Sequence, residues 1–222
     1  MSYFSSAYTQ FFMDLAANNN RDWFNAEKKR YEKEVKAPFE AFVSDLAQQL
    51  KKDIPAIETD PKKMCFRIYR DIRFSKDKTP YKLHMSAVLN EGGRKNRTTP
   101  GMYIQFGAED LRYYTGAYQL EKADLLKVRQ FIIENLLAFQ KIKSDKNFNQ
   151  AFTEIRGEKN KILPKEMKSI AEKEPLLFNK NFYVYKSMPA EQISSATLDT
   201  DFLKLHRASG NFRSFLTRAL EK

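Results

Sequence analysis

The chain has one cysteine, Cys65, in 222 residues. An internal disulfide framework is excluded, and a reducing, cytoplasmic setting is expected. Two histidines and one cysteine are too few for a Cys- or His-rich structural zinc site, so no metal is expected. No cofactor is expected either, because the short signatures are missing. There is no Gly-x-x-x-x-Gly-Lys-Ser/Thr, no Gly-x-Gly-x-x-Gly, no His-Glu-x-x-His and no Gly-x-Ser-x-Gly. Seven glycines and eight prolines argue against an all-β fold with many turns. No basic stretch followed by an apolar one opens the sequence, and no apolar run is long enough to span a bilayer. Neither a signal peptide nor a membrane partner is therefore expected.

What is abundant is aromatic residues and positive charge. Apolar residues make up 42%, and 18 phenylalanines and 11 tyrosines can fill a packed core, so disorder is excluded. Lys62 to Arg97 carries eleven cations against three acids, which is +8 of a net +11. So local an excess points to a surface facing an anion more than to general solubility.

The periodicities predict one α+β domain over 1–222. Its mainly antiparallel sheet has about five strands, packed with N-terminal and C-terminal helices. Tyr8, Phe11, Phe12 and Leu15 recur at helical spacing until Asn18-Asn19-Asn20. Asp22 is expected to cap a second helix burying Trp23, Phe24, Tyr31 and Val35, and Pro38 to open a third through Leu50. Alternation predicts strands at Met64–Arg70, Leu83–Leu89, Met102–Phe106, Leu111–Thr115 and Phe182–Lys186, the middle pair forming a hairpin. One long helix is expected over Gln119–Ile142, shorter ones to Glu174, and a helical tail over Asp199–Leu220. Leu83, Met85, Ala87 and Leu89 should point inward. The other sheet face should show Arg67, Tyr69, His84, Ser86, Tyr103, Gln105, Tyr183 and Tyr185.

The densest chemistry is the run from Arg67 to His84. Arg67, Arg70, Arg73, Lys76, Lys78 and Lys82 are the expected anion-binding residues. Arginines supply planar forks for bidentate contacts and lysines supply point charges. Two aspartates cannot neutralise six cations between Arg67 and Lys82. Asp71 and Asp77 are nevertheless expected to orient some of them. If the same region carries a reaction, Asp71, Asp77, Tyr81 and His84 are the proton-transfer candidates. Against these stand plainer readings. The loop can satisfy its own charges, a lone histidine is more often structural, and Cys65 is more often buried and inert. His206 is read as surface or packing, and Trp23, Phe24 and Tyr31 as core. Asn18 to Arg21 is read first as a turn between helices, with a helix start whose free N–H groups face an anion, Arg21 adding charge, as the alternative.

Two stretches carry a resemblance: Asn18-Asn19-Asn20-Arg21-Asp22-Trp23-Phe24 with Lys29-Arg30-Tyr31, and Arg70 through Lys82, whose Arg-Phe-Ser-Lys-Asp-Lys-x-Pro-Tyr-Lys core is the specific part. The chain resembles the domain-of-unknown-function family 2461, conserved bacterial and fungal proteins without an assigned reaction. The resemblance spans nearly the whole chain and carries no activity with it. The best reading is a binder of a phosphate-bearing or other anionic ligand, either nucleic acid or a small phosphorylated molecule. The alternatives are an enzyme using the same cleft, or an interaction module with an acidic partner. Cations spread over an open surface favour a polymer, and cations converging on a cavity favour a small ligand.

Overall fold

The computed structural model describes residues 2–96 and 99–221. Arg97, counted above among the cations, lies outside the described residues. Among the described residues four strands, not five, form one antiparallel sheet in the order β1 (His84–Leu89), β2 (Met102–Gly107), β3 (Asp110–Ala117), β4 (Phe182–Pro189). The α+β expectation holds. The missing strand is Met64–Arg70, which starts inside a short helix, Pro61–Met64. It pairs only through the isolated bridges Cys65–Ala87 and Tyr69–Tyr81. Between those bridges one side gains two residues over the other, so no continuous ladder forms.

Two compact units divide the chain. The first comprises Met1–Lys95, Tyr103–Tyr113 and Ser187–Leu203. The second comprises Asn96–Met102, Tyr114–Lys186 and Lys204–Lys222.

In the first unit, α1 (Ser6–Ala17) buries the predicted stripe of Tyr8, Phe11, Phe12 and Leu15. The α2 helix (Arg21–Ala26) is capped by Asn20, not Asp22: the Asn20 Oδ1 accepts from the Trp23 N–H at 3.0 Å, while Asp22 sits in the first turn. Pro38 stands in the first turn of the helix Ala37–Leu50, as expected, but that helix does not start afresh. The chain instead widens into a π-helix over Tyr31–Lys36, where the Ala37 N–H reaches the Glu32 carbonyl, before Ala37–Leu50 continues as α-helix. A wider turn is one way to seat a proline that lacks an N–H and crowds the carbonyl four residues back. Phe39, Phe42, Val43, Leu46 and Leu50 then meet Met85, Ala87, Leu89, Ile104, Phe106 and Phe202 in a fully buried core. Phe39, Phe42 and Phe202 lie 5.2–5.4 Å from Phe106, ring to ring. Of the residues expected inward, Leu83 is 42% exposed, because it precedes β1. Ser86, expected outward, is buried, and Phe66 N–H bonds its carbonyl.

In the second unit the expected long helix is two, Lys122–Glu134 and Leu136–Lys143. Asn135 breaks it by turning its Nδ2 back onto the Phe131 carbonyl at 3.0 Å. Phe131, Phe139, Phe212 and Phe215 are core. Gly116 (φ +135°) allows β3 to approach β4, since a Cβ there would lie 2.1 Å from the Phe182 carbonyl oxygen.

Candidate functional site

The asparagine run has a use that the sequence did not reveal. Asn18 ties off α1 by donating to the Asp14 carbonyl, and Asn20 caps α2. Asn19, between them, grips the backbone of Tyr81. Its Oδ1 accepts from the Tyr81 N–H (3.1 Å) and its Nδ2 donates to the Tyr81 carbonyl (3.0 Å). The amide thus imitates a strand neighbour. Phe24 then stacks on the Tyr81 ring, centroids 4.0 Å apart and planes 17° from parallel, with Tyr69 at 5.3 Å. The two stretches that carry the family resemblance therefore build one place.

The loop between Tyr69 and Tyr81 is ordered from within. Arg70 N–H reaches the Pro80 carbonyl, and Lys82 N–H the Ile68 carbonyl, closing its base. Asp77 Oδ1 accepts from Thr79 N–H at 2.9 Å, and its Oδ2 accepts from Arg70 Nη1. The same Nη1 also meets the Thr79 hydroxyl and carbonyl. Asp71 takes Arg73 in a fork, Nε at 2.9 Å and Nη2 at 2.7 Å. Lys78 donates to the Ile72 carbonyl. Each carboxyl is held at about 2, Asp71 chiefly by the Arg73 side chain and Asp77 chiefly by Thr79 N–H and Arg70. Both are therefore ionised near neutral pH, and in the loop they hold Arg73, Arg70 and the Thr79 N–H.

A cavity of about 280 Å³ opens beside this loop, lined by Arg21, Asn25, Tyr69, Arg70, Ile72, Pro80 and Tyr81. Arg21 is exposed and has no ion pair or hydrogen bond among the described residues. Arg70 spends only Nη1, which leaves Nε and Nη2 without a described partner. Burial and then Tyr69 raise the Tyr81 phenol, and the Arg21 charge opposes them. The phenol therefore remains a protonated donor near Arg21. Two guanidiniums with unspent donors, two phenols and one amide share one concavity.

Of the expected anion-binding residues, only Arg70 lines this cavity, and of the proton-transfer candidates only Tyr81 does. Arg67 is exposed and Lys82 half-buried, its Nζ 5.6 Å from the Phe66 ring centroid. Arg73, Lys76 and Lys78 stand exposed on the loop. His84 is pushed down to about 4, by burial and then by Lys82 and Arg112, with Asp110 opposing, and is neutral at pH 7. Cys65 is buried and its thiol raised to about 12, so it is inert. His206 is buried packing, its ring held at about 3 by burial and then by Arg213 and Arg207. Sequence reasoning missed Asn19, Asn25 and Tyr69 as site residues. It weighed Arg21 as the charge of an anion-facing helix start and ranked that below a plain turn. The available signal was that Asn18 to Phe24 and Arg70 to Lys82 both belonged to the resemblance.

Among the described residues no group of three His, Cys, Asp or Glu side chains could hold a metal ion. Among them, too, no helix is long and apolar enough to cross a membrane. Fold and site together define an α+β protein with an arginine-bearing cleft formed by an asparagine-rich helix start and a basic loop. The family described as "Conserved hypothetical protein (DUF2461)" matches residues 7–215, and the chain belongs to it. No curated protein matches the chain.

Proposed function

We propose that the cleft between Arg21 and Arg70 binds a small anionic ligand through a phosphate or carboxylate group. The observation that carries this reading is the unspent guanidinium donors on one concave surface. Arginine forks pair with two oxygens of such groups, and charged hydrogen bonds of this kind are the stronger ones. Asp77 would hold Arg70 at a fixed angle, leaving Nε and Nη2 for the ligand. Tyr81 and Asn25 would supply neutral donors, and Tyr69 and Pro80 an apolar wall. Arg67, Arg73, Lys76, Lys78 and Lys82 would act at longer range, raising the local concentration of anions. The same reading suits a cytoplasmic protein, since an unoxidised Cys65 is compatible with its core position.

The test is thermal protection and calorimetric titration with inorganic phosphate, a sugar phosphate and a dicarboxylate. At least one should raise the melting temperature of the natural protein and fail to do so for Arg70→Ala. Absence of protection by all three would overturn the reading.

We also propose that residues 1–222 unfold as one domain. The boundaries at 113/114, 186/187 and 203/204 fall inside β3, β4 and the helix Leu198–Ala208. A single calorimetric transition is expected, and two separated transitions would exclude it.

A further inference from the structure

The tip of the basic loop carries a feature that the cleft does not use. Phe74 is 95% exposed, more than any other large apolar side chain among the described residues. It is not a loose end. Ser75 N–H bonds the Ile72 carbonyl at 3.3 Å, and Lys78 Nζ bonds the same carbonyl at 3.0 Å. Asp71 fixes Arg73 through three donors, and the Arg73 guanidinium lies 5.8 Å from the Phe74 ring centroid. Hydrogen bonds on both sides of Phe74 thus order the loop that carries this exposed ring. Such preorganisation lowers the ordering cost of docking.

The surroundings indicate what docks. Lys76 and Lys78 follow Phe74 by two and four residues and are exposed, and Lys76 has no ion pair or hydrogen bond among the described residues. The two acids of the loop are engaged by Arg73 and Arg70. The surface therefore offers one flat apolar face set among net positive charge. A lipid surface would meet the charge, but a single ring is a weak anchor, since even one myristoyl chain binds membranes only marginally. A duplex would have to unstack before a base could reach the ring. A single strand already exposes both base faces and phosphates, and base–aromatic stacking needs no particular sequence.

We propose that the loop Ile72–Lys78 docks single-stranded nucleic acid, with a base stacked on Phe74 and backbone phosphates on Lys76 and Lys78. The strand's affinity for this loop is separate from the small-anion site. Arg21→Ala should weaken protection by small anions about tenfold or more and leave strand binding in place, so the two readings fail independently.

The test is fluorescence anisotropy of a labelled twelve-residue oligothymidylate at low and moderate salt, with heparin, duplex DNA and phosphatidylserine vesicles measured beside it. Phe74→Ala should weaken strand binding about tenfold, within the range of losses seen when a stacking aromatic is removed. It should change heparin affinity by less than about twofold, because heparin has charge but no bases. Phe74→Trp should keep the affinity, and the emission of the introduced indole should be quenched on binding. Lys76→Ala and Lys78→Ala should each reduce the salt slope by about 0.7. Because Phe74 makes no buried contact, an unchanged melting temperature is the folding control. The proposal is overturned by unaltered strand binding in Phe74→Ala, by equal losses for strand and heparin, or by binding to vesicles or duplex in preference to the strand.

Discussion

Arg30 and Arg21 stand nine residues apart in the first unit and are treated oppositely. Arg30 is ringed by Asp14 at 2.8 Å, Glu34 at 3.0 Å and Glu27 at 3.5 Å, so three carboxylates serve one guanidinium. It also lies 5.6 Å from the Phe11 ring centroid. Among the described residues Arg21 meets no carboxylate, although acids are plentiful on the same helices. Arg70 is intermediate, with one nitrogen spent on Asp77 and Thr79. Acids accompany cations where the charge holds helices together and are withheld where donors face a cavity. The second unit extends the contrast. Lys143 there reaches Glu174, which is 0% exposed, at 2.6 Å. Arg129, 5% exposed, donates to the Asn179 carbonyl at 3.0 Å.

The largest effect should come from the most enclosed charge. Lys143→Met removes the partner of a fully buried carboxylate and should destabilise the protein by about 3 kcal/mol in denaturant titration. A loss below about 1 kcal/mol would mean that Glu174 is sustained by its other contact, the Leu176 N–H at 3.4 Å, and would weaken the contrast.

Acid should reveal the histidines next. His84 and His206 are held at about 4 and about 3, below the ordinary imidazole value, so both are neutral in the fold. The unfolded chain binds their protons first, near pH 6.5. Stability contributed by the neutral rings is thus complete above pH 6.5 and is lost as pH falls toward the folded values. Each ring should contribute a slope of up to about 1.4 kcal/mol per pH unit in that window. His84→Gln should flatten the profile of denaturation midpoint against pH between 6.5 and 4, and an unchanged profile would show that the ring is solvated.

Arg30→Ala should follow, since it leaves three carboxylates facing one another without a cation. The melting temperature should fall, and added salt should recover part of the loss by screening the repulsion. A salt-independent loss would assign Arg30 to packing on Phe11 instead.

How much of this could be read in the sequence depends on distance along the chain. The α1 stripe, the β2–β3 hairpin and the basic loop are local patterns, and all three appear where spacing put them. The fifth strand failed because the alternation of Met64 to Arg70 speaks of faces and not of pairing, and a two-residue slip against 81–87 breaks the ladder. The helix break at Asn135 and the π-turn before Pro38 depend on single side chains that a hydrophobic period does not weigh. The cleft was half legible. Arg70 and Tyr81 stood out by charge and aromatic density. Asn19 lies 62 positions from Tyr81, however, and nothing in either segment alone says that its amide will clasp that backbone. Arg21 was discounted because a lone cation at a helix start is ordinary until a second guanidinium is placed beside the same cavity.

The smallest effect on stability should be at Arg21, and it is the most discriminating. Arg21 has no ion pair or side-chain hydrogen bond to lose among the described residues, so Arg21→Ala should leave the melting temperature nearly unchanged in the absence of ligand, or raise it slightly by relieving repulsion within a basic region. Protection by the small anion that the natural protein accepts should fall by about tenfold or more in affinity, the scale of a lost charged hydrogen-bond pair. Arg21→Lys separates the two ways in which the residue can act. A lysine keeps the charge but not the fork. If Arg21 contributes only to the field around the cleft, Arg21→Lys should bind as the natural protein does, and raising the salt should weaken both equally. If its planar donors grip two oxygens, Arg21→Lys should lose most of what Arg21→Ala loses, and salt should matter less, because close charged hydrogen bonds are screened less than distant charges. A destabilised Arg21→Ala with unaltered anion binding would place Arg21 with Arg30, as part of the framework, and would remove the contrast between the two arginines.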